Sequence, residues 1–428
     1  MVKKPKSRVA AKGSSSLIKH ADVVIVGAGI VGQTLALALA KTDLSILIID
    51  AQSELSVAVD KPHSPRVSAI SAASQAQFEA LGAWSQIARM QAYTHMQVWE
   101  QDGFGKIDFD HQDIGLQSLG HIIENDQIAS ALYNTAQEHE NIEYVLGHKI
   151  TQLNYLEGPN NGADTHSTQH YQIQLENNAL ITAKLLVGAD GAQSYVRNTL
   201  GFKHSFWDYD HTAIVANIRT ELPHELCARQ VFTSTGPLAF LPLSETNKSD
   251  ADGVGSKLCS IVWSQQTEQA QKLLAMDDAQ FCQALAVAID MQLGPCKLVT
   301  ERFNYPLRMR YARQWVDESV ALVGDAAHTI HPLAGQGANL GIADAMALAQ
   351  NIEHSLAAGK AFYAKPQLRR YERQRKAEAQ KVIATMEGFK RLFEGDDPVK
   401  KLVRNIGLAG ANKLNPVKQF FIQQAEGK

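Results

Sequence analysis

Eighteen consecutive residues, Val23 to Ala40, carry no charge, and three glycines interrupt them at a fixed spacing. A run of that length is close to what a membrane-crossing helix needs. The glycines argue for something else. Asp22 to Val26 is a β-branched run, as a buried parallel strand should be. It leads straight into Gly27-Ala-Gly29-Ile-Val-Gly32, and Gln33 to Lys41 then reads as a helix. A second apolar strand, Leu44 to Ile49, ends on Asp50. The strand, glycine turn, helix, strand and acid follow in order within about 30 residues, which defines a dinucleotide-binding unit. Gly27 permits the tight turn, Gly29 lets backbone approach a pyrophosphate, and Gly32 lets helix and strand pack closely. Asp50 is placed to accept ribose hydroxyls, and no transmembrane segment is expected.

At 428 residues, the chain is long enough for two or three domains of roughly 150 residues each. Its 45% hydrophobic and 20% charged content excludes disordered, collagenous and disulfide-scaffold classes. The net charge of −3 hides a division. Residues 1–20 hold six basic side chains and no acid, and residues 359–428 hold sixteen basic and seven acidic ones. The intervening body is therefore strongly acidic, which excludes a nucleic-acid-binding core. Cys227, Cys259, Cys282 and Cys296 form no CxxC pair and read as reduced, mostly buried thiols of a cytoplasmic protein, with no metal site. No secretory signal is visible, and the basic N-terminus reads as a solvated tail.

Two later segments repeat the theme of a strand ending in a polar turn. Leu185-Leu-Val-Gly-Ala precedes Asp190-Gly191, with Ser194 and Arg197 following. Ala321-Leu-Val precedes Gly324-Asp325, and the chain continues through His328, His331-Pro332, Gly335-Gln336-Gly337 and Asn339 into a helix from Ile342 to Ala357. Three strands of one sheet would then deliver polar groups at their carboxyl ends, where ligands of open α/β sheets sit.

Together these motifs resemble the class A flavoprotein aromatic hydroxylases of the para-hydroxybenzoate hydroxylase type. Arg66 to Ser74, Leu119 to Asn125 and Gly236 to Leu243 are similar to segments of the ubiquinone-biosynthesis hydroxylases. Val98-Trp99, Phe206 to Tyr209, Ala228 to Phe232, Ile261 to Ser264 and Tyr311 to Gln314 look most like the bacterial 2-octaprenylphenol hydroxylases. The resemblance spans about residues 21–425. It departs in having Asp50 where Glu is frequent, and Ala338 where Val is frequent.

The resemblance implies an α/β fold: a Rossmann-like FAD-binding domain, a β-sheet substrate domain and a C-terminal helical segment. The expected boundaries are 1–20 for a basic flexible tail and 21–95, 121–203 and 301–358 for a discontinuous FAD domain. The substrate domain takes 96–120 and 204–300, and 359–428 forms the basic helical segment. Within 204–300, Ala213 to Arg219, Val231 to Thr233, Leu238 to Leu243 and Leu258 to Trp263 read as strands. Glu157 to Thr168 and Glu245 to Ser256 read as hairpin tips.

FAD is the implied cofactor and NAD(P)H the implied reductant. Gly27, Gly29, Gly32, Asp50, Arg66, Asp190 and Asp325 are the implied cofactor residues, with Asp325 on the ribitol and Arg66 on the pyrophosphate or ribose. Gly335, Gln336, Gly337 and Asn339 would lie along the flavin ring. The implied reaction adds one oxygen of O2 to the ring of a polyprenylated phenol, through a flavin C4a-hydroperoxide, in aerobic ubiquinone biosynthesis. His331 is the candidate for ordering substrate or proton transfer, whereas His328 and Arg197 read as structural. Trp99, Trp207, Trp263 and Phe240 are candidates for the cavity wall, with a core role the more frequent one for aromatics in a sheet. A prenylated substrate places the enzyme at the inner face of a membrane, with the basic end meeting anionic lipid, other ubiquinone-biosynthesis proteins or a second subunit. Three other readings stay open: another ring position in the same pathway, a flavin-dependent prenyl-lipid reductase, and a non-catalytic flavoprotein scaffold.

Overall fold

A computed structural model describes residues 18–56, 61–156, 170–245, 255–329 and 336–393. The basic N-terminal tail up to residue 17 and the chain beyond 393 lie outside the described residues, as do His331, Gly335 and nearly all of both expected hairpin tips.

The glycine motif folds as its spacing predicts. Strand β1 is Ile18–Val26, helix α1 is Ile30–Ala38 and strand β2 is Ile46–Asp50. Helix α1 begins three residues earlier than the apolar pattern suggested, because Gly29 serves as its N-cap and Gly32 falls inside it. Strand β1 pairs in parallel with β2, Val23 opposite Ile46, and with Leu180–Gly188, Val23 opposite Leu185. The strand Val320–Leu322 adds in parallel on the other side of Leu180–Gly188, and Ile142–Leu146 adds beyond β2. Val23, Val24, Ile25, Leu185, Leu186 and Val187 are fully buried, as central parallel strands covered on both faces must be. Among the described residues this sheet has eight strands, completed by Val316–Asp317, Ile150–Leu156 and His170–Leu175.

A second, nine-stranded sheet contains all four strands expected between 204 and 300. The strand Phe303–Ala312, in a stretch expected to accompany the cofactor sheet, pairs instead with His204–Thr220. Helices Thr267–Ala275 and Asp278–Ala288 cover one face, burying Phe240, Trp263 and Phe281. Three short strands, Val67–Ile70, Gln91–Tyr93 and Gly120–Glu124, form a small sheet of their own. A buried ion pair braces it: Arg89 donates to both carboxylate oxygens of Glu124 at 2.6 and 2.9 Å. That carboxylate also accepts from the Ser64 amide at 2.5 Å.

The last described helix, Lys365–Phe393, buries Leu368, Tyr371, Arg375 and Ala379, a helical stripe. It packs on the helix Gln336–Ala357. No helix among the described residues is long and apolar enough to cross a membrane. All four cysteines are unpaired, three of them buried.

His121, in the small sheet, meets the Trp84 ring edge-on at 5.0 Å, and its buried Nδ1 has no hydrogen-bond partner among the described residues. Burial pushes its pKa down to about 4 despite the opposing charge of Glu79. The folded protein therefore holds it neutral while the unfolded chain takes up a proton near pH 6.5. Its contribution is complete above that pH and is lost as pH falls toward 4. His121→Phe is expected to remove on the order of 2 kcal/mol of the stability loss between pH 7 and pH 4.5. Urea unfolding at both pH values checks this, and an unchanged slope would refute it.

Candidate cofactor and substrate site

Three neighbouring strand ends meet at one edge of the parallel sheet. At Gly27 (φ +108°), an added Cβ would lie 2.4 Å from the Ala189 carbonyl oxygen. At Gly32 it would lie 2.0 Å from the carbonyl oxygen of Gly27. Both glycines are thus demanded by backbone packing. Gly29 differs, because no described residue lies within 4 Å of where its Cβ would be. No side chain caps helix α1, and its first turn holds no acid. A helix start left open beside a glycine facing empty space fits a pyrophosphate.

Asp50, at the end of β2, accepts from the Ala28 amide at 2.7 Å and from the Gln52 amide at 2.8 Å. It therefore holds the glycine turn as well as facing the cleft. Asp190 accepts from the Val196 amide at 3.1 Å through Oδ2, while its buried Oδ1 has no partner among the described residues. Burial raises its pKa. Such an oxygen suits a ligand hydroxyl. Asp325 is open to solvent by surface area yet surrounded by protein, as the floor of a deep cleft is. That surrounding mass raises its pKa, against the opposing charges of His328, Arg66 and Arg310. Arg66 is exposed, lies over the Tyr305 ring at 5.6 Å and reaches Asp325 through its field. Among the described residues it forms no ion pair.

Arg197 is 2% exposed and joins two of the motifs, donating to the carbonyls of Ala192 at 2.8 Å and Ala326 at 3.0 Å. His328 is also internal. Its Nε2 meets Asp344 Oδ2 at 2.5 Å, and its ring stacks on Trp315 at 4.8 Å. Asp344 further accepts from the Gly324 amide at 3.1 Å and from Arg375 Nε at 2.7 Å. Burial works against its ionisation, but His328 and Arg375 hold its pKa below the usual carboxylate value. The sequence reading missed Asp344 and Arg375. The available signal was an acid inside the apolar stretch Ile342 to Leu348. Arg375, in the basic run expected to be solvated or lipid-facing, is instead 3% exposed.

Gln336 opens the helix Gln336–Ala357, and Gly337 faces open space. Asn339 lies half-buried, and both ends of its amide are engaged. Its Nδ2 donates to the Ala69 carbonyl at 2.7 Å, and its Oδ1 accepts from the Ser71 amide at 3.0 Å. Asn339 thus clamps the small sheet to the helix start. Beyond that clamp lies an open cavity of about 110 Å³. Val67, Ala69 and Tyr93 line one side of it, and Ala239, Leu241 and Val262 the other. Trp99, Trp263 and Phe240 belong to the opposite face of the large sheet, packed in its core, and Trp207 is 49% exposed. The wall is built from the residues that alternate with these aromatics.

A model of the FAD binding domain matches residues 20–386. The p-nitrophenol 4-monooxygenase PnpA of Pseudomonas putida superposes with a TM-score of 0.74 at 17% identity, over 96% of this chain and 99% of that one. PqsL of Pseudomonas aeruginosa superposes at 0.72 and 19%, over 92% and 100%. The fold and the site define an FAD-dependent monooxygenase. The ubiquinone biosynthesis monooxygenase COQ6, mitochondrial, of Danio rerio is 31% identical over 93% of this chain and 88% of its own length. The 3-demethoxyubiquinol 3-hydroxylase of Escherichia coli K12 is 32% identical over 95% and 98%. The chain belongs to the ubiquinone-biosynthesis hydroxylase family of class A flavoprotein monooxygenases.

The two kinds of glycine make different predictions. Gly29→Val should leave the fold intact and lower bound FAD by at least about tenfold, because it fills space and touches no protein. Gly32→Val should yield little folded protein. Flavin absorbance and thermal unfolding of the purified variants separate these outcomes, and full flavin in Gly29→Val would contradict the assignment.

Proposed function

We propose that the chain hydroxylates the ring of a polyprenylated phenol of the 2-octaprenylphenol type, giving a 2-octaprenyl-6-hydroxyphenol, with O2 as co-substrate and NAD(P)H as reductant. The observation that carries this reading is the apolar cavity joined to the cofactor cleft through the strand that Asn339 clamps. Gly27, Gly29 and Gly32 would admit the pyrophosphate to the start of α1. Asp50 would take the adenosine ribose, and Asp325 the ribitol. Arg66 would face the phosphates, and the partnerless Asp190 oxygen a ligand hydroxyl. The segment Gly335, Gln336 and Gly337 would pass along the ring system. When bound, FAD supplies the activation of O2. The protein's share is to hold the phenol ring against the cofactor edge and keep water away, which an apolar wall does. His331, beside this cleft in sequence, is proposed to order the substrate or its proton.

A different ring position is the second reading, favoured by the 32% identity to the Escherichia coli 3-demethoxyubiquinol 3-hydroxylase. Both readings place the substrate's prenyl tail in a bilayer. Arg369, Arg370 and Arg373 are exposed on the last helix and suit an anionic lipid surface at the inner face of the membrane.

Incubation with a short-chain 2-prenylphenol, NAD(P)H and ¹⁸O2 should give a catechol carrying one labelled oxygen. His331→Gln should keep FAD while its NAD(P)H oxidation becomes uncoupled from product. Reductant consumption without labelled product in the unmodified protein would remove the phenol assignment. Sedimentation with anionic vesicles should fall as salt rises, and no binding at low salt would remove the lipid assignment.

A further inference from the structure

The cavity wall is apolar except where polar side chains break it. Tyr93, Gln230 and Ser264 line it, and none of the three side chains hydrogen-bonds to any described residue. Arg229 also borders it. Its strand position alternates with Ala228 and Gln230, and its guanidinium is turned to the carbonyls of His224 and Cys227. The polar atoms of Tyr93, Gln230 and Ser264 are open to the cavity, so a molecule filling it would meet free hydrogen-bonding groups in an otherwise apolar wall.

The three are not equivalent. Gln230 and Ser264 stand on the large sheet, in strands Cys227–Thr233 and Leu258–Gln266. Tyr93 stands on the small sheet, in Gln91–Tyr93, which pairs with Gly120–Glu124. That strand pairs in turn with Val67–Ile70, the strand Asn339 ties to the helix beside the cofactor cleft. Tyr93 is thus the one of the three carried by the wall attached to the cofactor side. Like Leu241, Val67 and Ala69, it packs against the buried cluster of Ile122, Leu243 and Leu258. Its place depends on a missing side chain. At Gly120 (φ +148°), a Cβ would lie 3.0 Å from the Tyr93 hydroxyl oxygen.

We infer that Tyr93 is a substrate-binding, specificity-determining residue whose hydroxyl hydrogen-bonds the ring oxygen of the phenol. The inference rests on the phenol reading above and assigns to one side chain the selection of an oxygenated ring over a bare hydrocarbon. Surrounding protein raises the Tyr93 pKa to about 12, although the residue is only half-buried by surface area, so the hydroxyl stays protonated at working pH. It can donate to a phenol oxygen or accept from a phenol hydroxyl.

The test is a binding titration of the FAD-loaded full chain, read from the perturbation of flavin absorbance. The probes are 2-farnesylphenol and farnesylbenzene, which differ only in the hydroxyl. The unmodified protein should bind the phenol about tenfold more tightly, the effect of one hydrogen bond. Tyr93→Phe should reduce that preference below about threefold, with farnesylbenzene affinity and FAD content unchanged. It removes a hydroxyl that bonds no described residue, so the fold is expected to hold. Gln230→Leu and Ser264→Ala should each keep the preference. Equal affinities in the unmodified protein, a preserved preference in Tyr93→Phe, or its loss only in one of the other two variants would each overturn the assignment. A Tyr93-dependent preference without hydroxylated product would sink the phenol-hydroxylase reading and leave the Tyr93 contact standing. Product formed by a Tyr93→Phe variant that keeps its preference would do the reverse.

Discussion

The carboxylate of Asp344 is the point on which the site depends. It is fully buried, and an isolated charge there would cost several kcal/mol. Arg375 meets it from the last described helix, and His328 and the Gly324 amide meet it from one turn. The Gly324–Asp325 turn is thereby fixed to both long helices. Arg197 extends the brace to the second motif through the carbonyls of Ala192 and Ala326. None of these groups needs to touch a ligand to matter. They decide where Asp190 and Asp325 can be.

The cofactor half was legible in sequence because its demands are local. Gly27 and Gly32 are required by backbone atoms within a few ångströms, and continuous apolar strands mark a parallel sheet. Gly324-Asp325 and Asp190-Gly191 were found as motifs for the same reason. Arg375 was not, since nothing in a run of arginines says which one turns inward. Only pairing with a distant acid decides that. Asn339 was expected along the flavin, and the clamp it makes on Ala69 and Ser71 was invisible because its partners are about 270 positions away.

The substrate half was harder to read for a different reason. Trp99, Trp263 and Phe240 stand out in sequence, and they went to the helix-covered core. The cavity wall uses the intervening positions, such as Ala239, Leu241 and Val262. A strand with two apolar faces gives period-two alternation no contrast, so sequence cannot say which face meets helices and which meets ligand. Register with a neighbouring sheet decides, and that is a long-range property.

The inward turn of Arg375 has a consequence for how the protein is made. The glycine motif precedes the rest of the site along the chain, and strand β1 cannot complete its sheet before Leu180–Gly188 and Val320–Leu322 arrive. Even then Asp344 lacks its guanidinium partner until the helix Lys365–Phe393 has been synthesised. Domains that fold during synthesis usually do so from the N-terminal end. Here a nucleotide cradle that opens with β1 is braced from the last described helix, so that brace can close only after both intervening sheets have been synthesised.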